Sequence, residues 1–263
     1  KRNSTFTTDR NVVYTQKTKS LLINGMIKWP WDVYKSLRAG LTFRSDLSYL
    51  PIVDKLSLES PEIHNQTASL RLEYVMDNST IIHPNLFEGT RFKIYNEWIK
   101  NTDFEIGPNY TFGLKPGWAG VLGFDARKYF PLPQSSILAL RAAGAKSWGS
   151  NRLLYFIGGV ENGLNSGYDQ SNPINPDINF LYLTQAPEVR GYLANTRNGS
   201  AYFISNAEIR IPFFLSLWPS TKSEWLQSMQ CVLFSDIGAA WEGLTPFSSQ
   251  IEQNKIVLSN PPL

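Results

Sequence analysis

The residue types best suited to chemistry are few in this chain and poorly spaced for catalysis. His64 and His83 are its only histidines; both are placed in loops, without metal-ligand spacing. The sequence has no nucleophile elbow, no phosphate-cradling Gly-Lys-Ser/Thr loop and no zinc-protease helix. Carboxylates are scattered, so a glycosidase-type pair stays open on sequence alone. Cys231 is the single cysteine, which rules out an internal disulfide and a thiolate metal cluster; we read it as a small buried hydrophobe in a strand. We therefore expect no enzyme, no catalytic residue, no metal site and no cofactor. What remains is recognition chemistry. Glu188-Val189-Arg190-Gly191-Tyr192 lies on the far arm of a long polar loop, and Phe234-Ser235-Asp236-Ile237-Gly238 lies inside a strand-like run. A guanidinium fork matches a carboxylate bidentately. On pattern alone, the competing reading is an exposed loop arginine and a solvated strand aspartate that never meet.

The elements that would carry these residues alternate with a period of two. Leu37, Ala39, Leu41 and Phe43 oppose Arg38, Gly40, Thr42 and Arg44. Leu70, Leu72 and Tyr74 oppose Ser69, Arg71 and Glu73, and Phe92, Ile94 and Trp98 oppose Arg91, Lys93 and Glu97. Trp118, Leu122, Phe124 and Ala126 oppose Asp125 and Arg127. Phe203, Ala207, Ile209, Ile211 and Phe213 oppose Asn206, Glu208 and Arg210. Further strands are expected at Leu21–Trp29, Tyr110–Lys115, Ile137–Lys146 and Cys231–Trp241, for nine or ten in all. Asp236 shares its face with Phe234 and Gly238, away from Leu233, Ile237 and Trp241. Asn206, Glu208 and Arg210 form a polar network on one face, either seating the loop or simply solvated. Helix signals are poor; Trp225–Met229 makes one turn at most. Glu161–Pro187 is far longer than a hairpin loop and rich in Asn, Gly, Pro and Ser.

The 263 residues suffice for one large all-β domain, and no boundary divides 1–263. No stretch reaches the roughly 18 apolar residues of a membrane helix, but barrel strands alternate and keep mean hydropathy low. Aromatics at 13%, with eight Trp, suit either a sandwich core or interfacial girdles. The net charge of +3 is too mild and dispersed for a nucleic-acid partner. No signal peptide opens the chain, so an exported form would be a mature or truncated portion. Sequons such as those at Asn65, Asn78, Asn109 and Asn198 occur at chance frequency for this composition. Alternation alone leaves a soluble sandwich and a membrane barrel level, because the two differ only in which face meets solvent.

From Gln66 to Trp241, and most strongly from Trp118, the chain resembles the bacterial surface antigen family of BamA-type outer-membrane assembly and translocation barrels. The matching features are Val189-Arg190-Gly191-Tyr192, the Asp236 strand, Tyr155-Phe156-Ile157-Gly158-Gly159 and Asn206-Ala207-Glu208-Ile209-Arg210-Ile211-Pro212. Leu72-Glu73-Tyr74, Asp77-Asn78, Pro84 and Gly89-Thr90-Arg91 resemble a strand, a periplasmic turn and the next strand. The long Gly159-to-Val189 spacing suggests a loop insertion, and the resemblance extends to a subgroup in which such a barrel follows a TolB-like propeller.

The resemblance implies an antiparallel transmembrane β-barrel, here an incomplete portion of about 16 strands, with strands missing at both ends. Arg190 would tie the folded-in loop to Asp236 on the inner wall. Gly191 would let the backbone lie tightly beside that wall, and Tyr192 would pack on Phe234. It further implies residence in the bacterial outer membrane and insertion or translocation of other proteins. The partners would be outer-membrane lipid, client outer-membrane or secreted proteins, and accessory periplasmic or lipoprotein subunits. Arg38, Arg71, Lys93, Arg127 and Arg210 would then face the lumen, because a cation at mid-bilayer costs about 2–4 kcal/mol. Two alternatives are carried forward: a passive or plugged outer-membrane channel, and a soluble all-β carbohydrate-binding module.

Overall fold

A computed structural model describes residues 2–7, 13–51, 61–83, 85–105, 111–159, 167–169, 171, 172, 174, 179–217, 220, 223–243 and 245–247. The long strands are β1 (Arg2–Thr7), β2 (Val13–Pro30), β3 (Lys35–Tyr49), β4 (Ile63–Asp77), β6 (Leu86–Glu105), β7 (Thr111–Pro131), β8 (Ile137–Gly149), β12 (Ala201–Ile211) and β13 (Cys231–Trp241). They form one antiparallel sheet in the order β1-β2-β3-β4-β6-β7-β8-β12-β13, with β5 (Thr80–His83) as a short flap on β6. No pairing joins β1 to β13 among the described residues, so the sheet is not closed. A second, inner sheet has the order β10-β9-β11, from β9 (Arg152–Ile157), β10 (Phe180–Gln185) and β11 (Arg197–Gly199). It is built from the excursion between β8 and β12, which are themselves neighbours.

Register converts the alternation into two continuous faces. Directly opposed residues share a face, so the pairs Leu41↔Leu70, Leu70↔Trp98, Ile94↔Phe124, Leu138↔Ile209 and Ile209↔Leu233 carry one apolar surface across seven strands. That surface is open: Leu41 is 67% exposed, Leu233 66% and Ile237 69%. The opposite face carries Arg38, Arg71, Lys93, Arg127 and Arg210 in register with Glu73, Asp125 and Glu208. The inner sheet lies on this charged face. In a sandwich, the continuous apolar faces pack together; here the continuous apolar face stays open, and the inner sheet covers part of the face that carries the charges.

The charged face is not uniform. Toward the β8–β12 connection it turns apolar, with Ile99, Ala119, Val121, Ala145, Tyr202, Ile204 and Ala240. Leu153, Tyr155, Ile157, Ala186 and Val189 of the excursion pack on that patch, and this is the main buried core. β9 is a nearly unbroken apolar run buried along its length, as suits a strand covered on both sides.

Several expectations change. Of the strand expected at Tyr110–Lys115, Tyr110 lies outside the described residues; Thr111–Lys115 and the Trp118 segment merge into β7, interrupted by a bulge at Lys115–Gly117 where Gly117 has φ +104°. The β12 alternation stops at Ile211; Phe213 opens the short helix α1 (Phe213–Leu217), followed by α2 (Glu224–Ser228). His64 and His83 sit in β4 and β5 rather than in loops. Cys231 begins the terminal strand and is exposed, not buried, because no strand covers that edge among the described residues. Pro84 and most of 160–178 lie outside the described residues.

Candidate functional site

The site forms where the arm after β10 returns to the sheet. β12 and β13 pair Asn206 with Asp236 and Glu208 with Phe234, so these four side chains make a square on the charged face. Arg190 comes down onto it. Its backbone N–H donates to Asp236 Oδ2 at 3.0 Å, Nε to Oδ2 at 2.7 Å and Nη2 to Oδ1 at 2.8 Å. Nη1 meets Glu208 Oε1 at 2.7 Å. The guanidinium carbon lies 3.9 Å from the centre of the Phe234 ring, a cation–π contact. Asn206 Nδ2 donates to Asp236 Oδ1 at 2.9 Å and to the Glu188 carbonyl at 3.3 Å. Arg210 completes the network with two bonds to Glu208 Oε2, at 2.9 and 2.7 Å, and a bond to the Asn85 carbonyl at 3.1 Å.

The Asp236 carboxylate is 2% exposed and fully engaged, whereas Arg190 is 23% exposed. Burying that carboxylate without a partner would be costly, and the fork supplies both oxygens. Its hydrogen bonds to Asp236 hold the Arg190 guanidinium above its ordinary range. A cleft of about 130 Å³ adjoins the tie, lined by Arg127, Arg141, Glu188, Arg190, Glu208 and Arg210. Its positive and negative groups are interleaved, with Arg127 and Arg141 both on Asp125.

The glycines act differently from expectation. Gly191 has open space around a notional Cβ, so the wall does not demand it; its φ of +86° does. Gly238 is the position with a close approach. A Cβ there would lie 2.8 Å from Val189 Cγ2, so the absent side chain makes the seat into which Val189 fits. Tyr192 is 59% exposed, and the group stacked on Phe234 is the Arg190 guanidinium, not the Tyr192 ring.

Sequence reasoning missed several contacts of the inner sheet. The Tyr155 and Tyr202 rings meet edge-on at 4.8 Å, and a side-chain hydrogen bond joins Tyr202 to Tyr95. Arg71 stacks on Tyr95 at 3.9 Å and Arg44 on Tyr182 at 4.1 Å. Arg152 pairs with Glu242, whose other oxygen accepts the Ser200 N–H at 3.0 Å. Burial pushes the Tyr155 and Tyr182 phenols up, Tyr182 to about 12. The available signal was the aromatic run Phe180-Leu181-Tyr182-Leu183, hidden inside a polar stretch.

No protein-family model matches the chain, and no curated protein matches it. No group of three or more His, Cys, Asp or Glu residues among the described ones could hold a metal ion. No helix among them is long and apolar enough to cross a membrane, which leaves strands out of account. Chemically, the site is a clamp. It joins an arm to a sheet through a bidentate ion pair, a second carboxylate and an aromatic face.

Proposed function

We propose that this chain is an outer-membrane β-barrel domain of the surface antigen type, which inserts or translocates other proteins. The observation that carries this reading is the pairing of two faces. One is a continuous, open apolar surface from β2 to β13; the other is a charged surface to which an inner sheet is clamped through Arg190 and Asp236. Exposed apolar patches larger than a few hundred Å² mark an interaction surface. With Arg38, Arg71, Lys93, Arg127 and Arg210 all on the other face, lipid is the partner that this surface fits. The charged face would line the lumen, and the Val189–Tyr192 arm would fix the arrangement there. Clients would be strand-forming outer-membrane or secreted chains, recruited at unpaired strand edges. Accessory periplasmic or lipoprotein subunits would deliver them, and no cofactor takes part.

The test is reconstitution. The chain in liposomes should speed insertion of an urea-unfolded outer-membrane protein relative to empty liposomes, and Arg190→Ala should slow it. Equal rates with and without the chain would remove the assembly role. The second reading, a plugged channel, is favoured by the inner sheet lying over the charged face. It would give single-channel conductance with no effect on client insertion.

A further inference from the structure

We infer that the inner sheet is a fixed plate, held by a tyrosine clasp, while the Glu188–Tyr192 arm is a strap that can be released without unseating it. The inference rests on the contacts of the two parts and goes beyond the membrane reading.

The clasp is buried and largely apolar. Tyr155 of β9 is 5% exposed and wedged against Tyr202 of β12, which is hydrogen-bonded to Tyr95 of β6. Arg71 of β4 backs the Tyr95 ring. Tyr95 in turn fills the space above Gly123, where a Cβ would lie 2.3 Å from the ring. Leu153 and Ile157 pack beside Tyr155, Arg44 of β3 caps Tyr182 of β10, and Arg152 is paired at the head of β9. The plate thus touches the wall from β3 to β13. Aromatic burial of this kind has no aqueous substitute, since each ring removes some 150–250 Å² from water.

The strap is held in a different way. Its contacts with the wall are an ion pair, hydrogen bonds and one buried apolar side chain, Val189, which sits over Gly238 at the edge of the core; Gly159 adds a backbone bond to the Tyr192 carbonyl at 2.8 Å. Arg190 is 23% exposed, so water reaches its guanidinium from one side, although the Asp236 carboxylate beneath it is nearly inaccessible. Glycines at positive φ stand in the arm and against it: Gly191 at +86° within it, and Gly158 at +96° and Gly159 at +77° at the end of β9, where Gly159 bridges to Val189. A Cβ on Gly158 would collide with the Leu193 carbonyl, so the end of β9 and the chain just past the arm cross there, backbone on backbone. The crossing marks where strap ends and plate begins.

Hydrogen–deuterium exchange on the full chain tests this, in detergent micelles or, if the chain dissolves without detergent, in buffer. The result is therefore independent of the membrane reading. Arg190→Ala should speed exchange at Val189–Tyr192 by about tenfold and leave Leu153–Ile157 within about twofold. Tyr155→Leu should speed exchange over both segments. If Tyr155→Leu fails to fold, Arg44→Ala reads the same grip through Tyr182: faster exchange at Leu181–Gln185 supports the clasp, and unchanged exchange there overturns it. Equal acceleration of arm and β9 in Arg190→Ala would also overturn it, because plate and strap would then be one unit.

Discussion

At the scale of residues, Arg190 acts through geometry more than charge. It reaches Asp236, Glu208 and Phe234 at once, and the first of these is nearly inaccessible to water. Removing one partner of a buried pair typically costs about 3–5 kcal/mol, and partial exposure lowers this. We expect a double-mutant cycle of Arg190→Ala and Asp236→Ala to give a coupling of about 2 kcal/mol in unfolding experiments. Additive effects would mean that the pair contributes nothing jointly. Arg190→Lys should recover only part of the loss, since an ammonium cannot span both oxygens. Gly238→Ala tests the seat independently. The added methyl collides with Val189, and overpacking of this kind costs about 1–3 kcal/mol. Exchange at Val189–Tyr192 should rise although both charged partners are intact; no change would show that the arm accommodates the methyl. The family resemblance singles out the arginine and aspartate; on pattern alone they read as an exposed loop arginine and a solvated strand aspartate. As a knob and its socket, Val189 and Gly238 are not legible in the sequence, because neither residue type signals a distant partner.

At the scale of elements, alternation made the main sheet legible and hid the inner one. In β3, β4, β6, β7 and β12, apolar and charged residues alternate regularly enough to assign faces, and the register carries those assignments through β8 and β13. β9 breaks the pattern because both of its sides are covered, and β10 pairs with it in parallel across residues 158–179. Parallel pairing of distant segments leaves no turn signature. The apolar upper half of the charged face was missed for a related reason. Ile99, Val121 and Ile204 occupy the phase assigned to polar groups, and only the arrival of the inner sheet explains them. An apolar carbene reagent dissolved in lipid should label Leu37, Leu41, Phe43, Phe92, Ile94, Ile209 and Ile211 in reconstituted protein. It should spare Arg38, Lys93 and Arg210. The reverse distribution would place the charged face outward and end the barrel reading.

At the scale of the whole molecule, the two ends of the sheet differ. The β2–β3 and β7–β8 turns, at 31–34 and 132–136, are short and share one end, whereas the excursion of residues 150–200 leaves from the other. In the outer-membrane reading the excursion faces outward. Chymotrypsin added to intact cells should cut at Tyr168, which is 43% exposed, and leave the Phe130 turn whole. Cutting at Phe130 alone would invert the orientation. The excursion also bears on the order in which the chain assembles. Closing a loop costs entropy that grows with the logarithm of its length. Pairing β8 with β12 across residues 150–200 therefore costs about 2 kcal/mol more than pairing β7 with β8 across 132–136. The inner sheet shortens that loop, because Arg197–Gly199 returns to β9 only a few residues after β8 has ended. Once β9, β10 and β11 have come together, the two long strands meet as if joined by a tight turn. A substitution that weakens the tyrosine cluster should therefore slow folding as well as loosen the folded state, and the delay should fall on the β8–β12 seam.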